Sequence, residues 1–164
     1  MLSDRRQFLV VLASAAGSIP LVEWLTGPSA AVGGTFPIMR SEEEWRRTLS
    51  APQFRVLRRQ ATERPFTSPL NQEHRDGVFK CAGCARELFA SDTKFDSGTG
   101  WPSFWSPIEH AVITSVDRSW LMVRTEVHCA GCGGHLGHVF DDGPQPTGLR
   151  YCINGVALTF EAGR

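Results

Sequence analysis

The sequence predicts a mainly β fold preceded by two short helices. Its 16 glycines and 10 prolines favour short strands joined by turns. From Val78 onward the pattern becomes β-like, and the run Trp120–Val127 is rich in strand-forming side chains. Residues 112–116 are expected to pair with this run across a turn at 117–119. At 164 residues and 41% hydrophobic content, the chain suits one domain with its own core.

Two helix starts precede the β region. Ser41, with Glu44 three residues later, has the form of a capping box. Ser50 followed closely by Pro52 marks a second start. After these helices, two prolines within residues 62–71 predict an extended connector.

The last part of the β region carries an irregular strand. Arg150, Cys152 and Asn154 alternate along the chain and therefore share one face of a strand. Beyond Gly155 the apolar residues change parity, which predicts a bulge or a bend at this glycine. A polar trio beside an interrupted strand is a favourable position for a functional site.

The balance of charge argues against a nucleic-acid partner. Basic and acidic residues number 17 each, so the formal net charge is zero. Proteins that bind nucleic acid usually carry a basic surface, and this sequence indicates none.

The first 31 residues have the features of an export signal. Arg5 and Arg6 precede an apolar run at 8–19, and residues 29–31 are small, as at a signal cleavage site. Paired arginines before a modest apolar run are typical of a twin-arginine signal, which predicts an exported, periplasmic protein. An ordinary secretory signal or an uncleaved anchor is the alternative. The predicted segments are a signal peptide at 1–31, a linker at 32–40 and a folded domain at 41–164.

Four of the five cysteines form two CxxC pairs. These are Cys81 with Cys84, and Cys129 with Cys132. Four thiolates at such spacing suit tetrahedral zinc, and the glycine before each second cysteine lets backbone amides turn toward sulfur. Disulfides are one alternative, since an exported protein meets an oxidising compartment. Iron and a redox CxxC pair are the others.

Cys152 is the remaining cysteine. A lone cysteine can be a small buried apolar residue, but here its strand neighbours are a cation and an amide. Arg150 should favour the thiolate, and Asn154 offers hydrogen bonds to a substrate or to the sulfur. His135 and His138 follow the second CxxC pair too closely for a zinc finger, so they are candidate proton donors.

Seven segments, in order, carry a resemblance to a known family. They are Thr62–Phe66, Cys81–Cys84, Phe95–Gly98, Gly100–Phe104, His135–Phe140, Asp142–Pro144 and Arg150–Asn154. Together they span most of residues 42–160 and resemble the type B peptide-methionine (R)-S-oxide reductases. The resemblance implies an antiparallel β fold of the β-tent kind with short N-terminal helices. It also implies one structural zinc ion per chain, remote from the catalytic cysteine.

The resemblance assigns roles to individual residues. Cys152 matches the nucleophile that attacks the sulfoxide sulfur, releases methionine and becomes a sulfenic acid. Trp101 matches the tryptophan that receives the methyl group of the substrate. The residues that match substrate-positioning, proton-handling and supporting polar positions are His135, His138, Asn154, Arg150 and Asp142. The implied substrates are oxidised proteins or peptides. The chain is expected to act as a monomer.

Two positions depart from the family pattern. Thr99 stands where many members carry a resolving cysteine, so Cys152 is expected to be recycled by a small thiol or a thioredoxin-like protein. Gly155 stands where serine is usual, which is expected to loosen the turn beside Cys152 without abolishing the chemistry.

Two other classes of function compete with this reading. A zinc-ribbon binding module of the β-tent type, without catalysis, explains the CxxC pairs but leaves Cys152 and Trp101 without a role. A thiol peroxidase or a sulfenate sensor uses Cys152 but has no need of an apolar slot for a methyl group.

Overall fold

The computed structural model describes residues 35–163, without the side chain of Trp120. The predicted signal at 1–31 lies outside this range, as does the start of the predicted linker. The described part contains two helices, α1 (Glu42–Thr48) and α2 (Ala51–Arg59). Nine strands follow them in this part: β1 (Gly77–Cys81), β2 (Glu87–Ala90), β3 (Lys94–Phe95), β4 (Ser103–Phe104), β5 (Val112–Asp117), β6 (Arg124–Cys129), β7 (His135–Phe140), β8 (Arg150–Ile153) and β9 (Leu158–Ala162). Between residues 35 and 163, neither helix is long and apolar enough to cross a membrane.

Both predicted helix starts are confirmed. The Ser41 side chain accepts a hydrogen bond from the Glu44 amide, and the Glu44 carboxylate accepts one from the Ser41 amide. Ser50 and Gln53 form the same reciprocal pair at the start of α2. Each box satisfies two amide groups that a helix leaves without partners, which explains why such short helices begin at these serines.

The nine strands form two antiparallel sheets. One has the order β2-β1-β9 and the other β3-β4-β8-β7-β6-β5. Three phenylalanines join them in the core: the Phe104 ring lies 5.0 Å from that of Phe79 and 4.3 Å from that of Phe89. All three are fully buried, and each contributes about 1.5–3 kcal/mol by leaving water. The predicted mainly antiparallel β fold with short N-terminal helices is thus confirmed.

The β5–β6 hairpin differs from the prediction in its loop. The predicted pairing of the two strands is correct, with Val112 opposite Cys129. However, β6 begins at Arg124 rather than at Trp120, because residues 119–121 form a 3₁₀ turn. The strand-forming side chains at 121–123 are exposed and have no sheet face to cover, so their propensity does not decide the conformation.

Two irregular segments lie close to Cys152. The connector at 62–71, predicted to be extended, is interrupted by a turn at residues 65–66, where Phe66 has a φ of 63°, and by a 3₁₀ turn over Pro69–Gln72. The parity change near Gly155 is a 3₁₀ turn over Gly155–Ala157. This turn carries the chain out of the six-stranded sheet at β8 and into the three-stranded sheet at β9, so the predicted bend is confirmed.

Candidate active site and metal centre

The four cysteines of the CxxC pairs come together in one cluster. Cys81 ends β1 and Cys129 ends β6, and each is followed by a turn that carries its partner. All four sulfur atoms lie within 4.8 Å of one another. The Sγ atoms of Cys81 and Cys132 are 3.8 Å apart, and those of Cys84 and Cys129 are 3.5 Å apart. The fold therefore brings the ends of β1 and β6 together, and the four thiols form a site of the size of one ion.

These spacings test what the cluster can hold. Four sulfurs at the 2.3 Å Zn–S distance around a tetrahedral centre lie about 3.8 Å apart. A disulfide requires about 2.05 Å between sulfurs, and all five cysteines of the chain are free thiols. The amides of Gly83 and Gly131 point at Cys81 Sγ and Cys129 Sγ, at 3.4 and 3.3 Å. The residues fit a structural metal ion, and the role assigned to the two glycines is confirmed.

Cys152 lies in a separate pocket. It sits on β8 between Ser103 of β4 and His138 of β7, which are its direct cross-strand neighbours. The pocket has a volume of about 120 Å³. Its lining comprises Thr62, Trp101, Arg124, Gly137, His138, Phe140, Cys152 and Asn154. None of the four clustered cysteines lines it, so the two thiol sites are distinct.

The surroundings of the Cys152 sulfur have opposing effects on the pKa of its thiol. Burial raises the pKa of the thiol, whereas the hydroxyl of Thr99 at 3.9 Å and the guanidinium of Arg150 lower it. Burial dominates, so the pKa is raised overall. The cation acts in the expected direction but does not produce a thiolate by itself. Arg150 is held by two hydrogen bonds to Asp142, of 2.9 and 2.8 Å, and by stacking on Phe140.

The two histidines occupy different positions. His138 faces the pocket, and its Nε2 is 2.9 Å from a carboxylate oxygen of Asp117. Burial lowers the pKa of His138 and outweighs the opposing effect of Asp117, so the ring is neutral near pH 7. His135 does not line the pocket. It is buried, and its Nδ1 is 2.6 Å from Glu126.

Asn154 and Trp101 are fixed by backbone groups. The Asn154 side chain donates to the Leu136 carbonyl and accepts from the Glu63 amide, both at 2.9 Å. Trp101 Nε1 donates to the Glu63 carbonyl at 3.2 Å. The described polar partners of Asn154 are thus backbone groups rather than the sulfur. Both residues line the pocket with their positions determined by the connector.

Glu63 is a residue of the site that the sequence did not indicate. Besides these two contacts, its carboxylate accepts hydrogen bonds from the amides of Gly155 and Val156, the latter at 3.1 Å. Burial raises the pKa of Glu63, although the two amides oppose the shift. One residue thereby ties the connector to the turn that follows Cys152. Its place in the Thr62–Phe66 segment was the available signal.

The sequence also did not indicate other residues in or next to the pocket. Arg124 lines it, and Asp117, 2.6 Å from Arg124 and 2.9 Å from His138, lies behind these two side chains. Both come from the ends of the β5–β6 hairpin, which the sheet register brings to His138. Phe140 supplies an apolar wall of the pocket. Gly137 allows β7 to lie close to β8, because a side chain at this position would collide with the backbone of Cys152. Such neighbours are visible only once strand pairing is known.

The fold and the two sites define a mainly β protein that has a cluster of four thiols able to hold a metal ion and, separately, one cysteine that lines a pocket. The SelR domain matches residues 49–162, and the chain belongs to this family. "Peptide methionine sulfoxide reductase MsrB" of Bradyrhizobium diazoefficiens is 59% identical over 125 residues, which cover 76% of this chain and 90% of the relative. The protein of the same name from Pseudomonas putida is 57% identical over 125 residues, covering 76% and 94%. That of Methanosarcina barkeri is 54% identical over 125 residues, covering 76% and 88%.

Proposed function

We propose that this protein is a peptide-methionine sulfoxide reductase, an oxidoreductase, which acts on methionine-R-sulfoxide in oxidised proteins and peptides. Cys152 is the nucleophile. The observation that supports this assignment best is the meeting of Cys152, Trp101, His138 and Asn154 in one pocket, from three separate parts of the chain. Relatives at 54–59% identity carry the same named activity.

The size and lining of the pocket suit the end of a methionine sulfoxide side chain. Its volume of about 120 Å³ corresponds to about four water molecules at ~30 Å³ each. Trp101 and Phe140 offer apolar surfaces to a methyl group. The His138 ring beside them, when protonated, offers a donor for the sulfoxide oxygen.

The reaction transfers one oxygen atom. The Cys152 thiolate attacks the sulfoxide sulfur and forms an S–S bond, while the sulfoxide oxygen takes up one proton. The resulting hydroxyl then passes to the Cys152 sulfur as the S–O bond breaks and the electron pair of the S–S bond returns to the methionine sulfur. Methionine is released as the reduced thioether, and Cys152 is oxidised to a sulfenic acid. Because the substrate oxygen must take a proton, we assign its delivery to the protonated form of His138, which keeps its Nε2 proton on Asp117 and has a second proton on Nδ1. His135, buried against Glu126, has a positioning role.

Zinc is the metal that we assign to the cysteine cluster. Cys81, Cys84, Cys129 and Cys132 would hold one Zn²⁺ ion as thiolates. A closed four-thiolate site leaves no open position for a substrate, so the ion would stabilise the fold rather than take part in the reaction.

The recycling step follows from the absence of a second available thiol near Cys152, because the other four cysteines form the cluster. Thr99, whose hydroxyl lies 3.9 Å from the sulfur, cannot form a disulfide. We therefore assign a one-cysteine cycle: an external thiol condenses with the sulfenic acid and releases water, and a second thiol then reduces the mixed disulfide. The reductant is a small thiol or a thioredoxin-like protein.

A test with both epimers checks the activity. With dithiothreitol as reductant, we expect the purified protein to consume methionine-R-sulfoxide in a peptide and to leave the S epimer. Comparable rates on the two epimers would contradict the assignment. No consumption of either epimer by metal-loaded protein would favour a binding module.

Export by the twin-arginine route is the localisation that we propose. Arg5 and Arg6 support it, and folding before export would shield the four clustered thiols from oxidation. Replacing both arginines by lysine should retain the precursor inside the cell, as detected by fractionation. Normal export of the double variant would indicate the general secretory route instead.

A further inference from the structure

A chain of three hydroxyl groups ends on the Cys152 sulfur. Ser103 Oγ is 2.7 Å from Ser97 Oγ, which is 2.8 Å from Thr99 Oγ1. Thr99 Oγ1 is in turn 3.9 Å from Cys152 Sγ. At the other end, the hydroxyl of Ser103 lies 3.2 Å from the Trp101 carbonyl oxygen. The chain therefore joins the sulfur to the backbone of the tryptophan in the same pocket.

The loop between β3 and β4 is built to direct Thr99 toward the sulfur. Gly98 and Gly100 flank it with φ values of 70° and 91°, a region that favours glycine. A Cβ at position 100 would lie 2.7 Å from the Phe66 amide nitrogen, so that position has no room for a side chain. Thr99 is half-buried between them, and its hydroxyl meets Ser97 and Cys152.

The direction of these hydrogen bonds depends on the state of the sulfur. Each hydroxyl has one proton to donate. When Cys152 is a thiol, it can donate to Thr99, and the chain then runs through Ser97 and Ser103 to the Trp101 carbonyl. When Cys152 is a thiolate, it can only accept, so the chain reverses and Thr99 donates to the sulfur. Hydrogen bonds to an ionised group are roughly twice as strong as neutral ones, so the reversed chain favours the thiolate.

We propose that Thr99 is a catalytic residue that donates a hydrogen bond to the Cys152 thiolate, supported by Ser97 and Ser103. This inference rests on the proposed function and adds a role to the position that lacks a resolving thiol. The threonine cannot close a disulfide, but it stabilises the form of Cys152 that attacks the sulfoxide.

Thr99 adds a neutral donor to the charged groups around the sulfur. Two of the three guanidinium nitrogens of Arg150 donate to Asp142, and the group also lowers the pKa of Cys152. On the pocket side, Arg124 and His138 both contact the Asp117 carboxylate, at 2.6 and 2.9 Å. The positive charges of the two arginines are therefore partly neutralised. Thr99 is a donor whose strength does not change with pH.

Thr99→Val tests the proposal, since valine has nearly the same shape and no hydroxyl. We expect the pH midpoint of Cys152 alkylation by iodoacetamide to rise, with alkylation near pH 7 slowed about three- to tenfold. The kcat/KM for a methionine-R-sulfoxide peptide should fall by the same factor at pH 7. It should return to the wild-type value above the alkylation midpoint, where the thiol is ionised in both proteins.

Thr99→Ser is the matched control, because it restores the hydroxyl and should restore both profiles. A loss of packing alone would persist at every pH and would not be rescued in this way. An unchanged alkylation profile for Thr99→Val would overturn the proposal. Alkylation of the thiol does not depend on sulfoxide reduction, so an unchanged profile is distinguishable from a failure of the proposed activity.

Discussion

Four thiols meet at the ends of β1 and β6, whereas Cys152 lies alone on β8 beside a histidine, a tryptophan and an arginine. In the cluster, the neighbours of each sulfur are other sulfurs and glycine amides, so the site is complete in itself once it holds an ion. In the pocket, the sulfur faces an open cavity, and its ionisation is balanced between burial and nearby donors. The same side chain thus has surroundings suited to a structural metal ion where its partners are thiols, and surroundings suited to the proposed reaction where they are a histidine, an amide and an apolar wall.

The largest expected effect separates the two regions by activity. Cys152→Ser should lower methionine-R-sulfoxide reduction by about a thousandfold or more, because an alcohol is a far weaker nucleophile than a thiolate at neutral pH. Metal content and thermal stability should stay close to those of the parent protein. Retained activity in this variant would remove Cys152 from the reaction.

The reciprocal change concerns the cluster. Cys129→Ser removes one of four thiolates and should lower the free energy of unfolding by several kcal/mol, since a structural zinc ion supplies on the order of 10 kcal/mol. The measurements are metal content by mass spectrometry and unfolding by denaturant. Cys152→Ser is its control. A stable, metal-free Cys129→Ser protein would contradict a structural role for the ion.

A smaller effect is expected where the pocket meets the connector. Gly155→Ser would introduce the residue that is usual in the family, yet a Cβ at this position would collide with the Ser68 side chain. We expect a loss of about 1–3 kcal/mol in stability from this overpacking.

Adding Ser68→Gly to Gly155→Ser should recover most of the lost stability, because the colliding side chain is then absent. If the single variant is as stable as the parent, the turn after Cys152 is looser than the structure shows. This pair also distinguishes the pocket from the cluster, whose metal content should not change in either variant.

The smallest expected effect concerns the position of the turn. In Glu63→Gln, one side-chain oxygen remains for the two amides of Gly155 and Val156, so one hydrogen bond is lost at a cost of about 1 kcal/mol. Activity should also fall, because a shift of this segment displaces the backbone groups of residue 63 that hold Asn154 and Trp101. Glu161→Gln, at an exposed ion pair with Lys80, is the control and should have little effect.

Much of the molecule was predictable because the patterns involved are local. The capping box at Ser41 depends on side chains three residues apart, and the helix start at Ser50 on a serine followed closely by a proline, so both are visible in the sequence. The CxxC pairs are similar: each knuckle is a short turn, and its chemistry is set by residue type and spacing. The start of β6 differs from the prediction, because the strand-forming residues at 121–123 are exposed and do not pair in the sheet.

The sequence by itself determined the mainly β fold with its leading helices and the thiols of the cluster, and it indicated Cys152 as the candidate nucleophile. The tertiary structure decided which side chains surround that cysteine, because its cross-strand neighbours depend on register and lie far apart along the chain. It placed His138 in the pocket and His135 behind it, and it brought Glu63 to the turn and Thr99 to the sulfur. It also decided the pKa of Cys152, since burial is a property of the packed molecule and here outweighs the charge of Arg150.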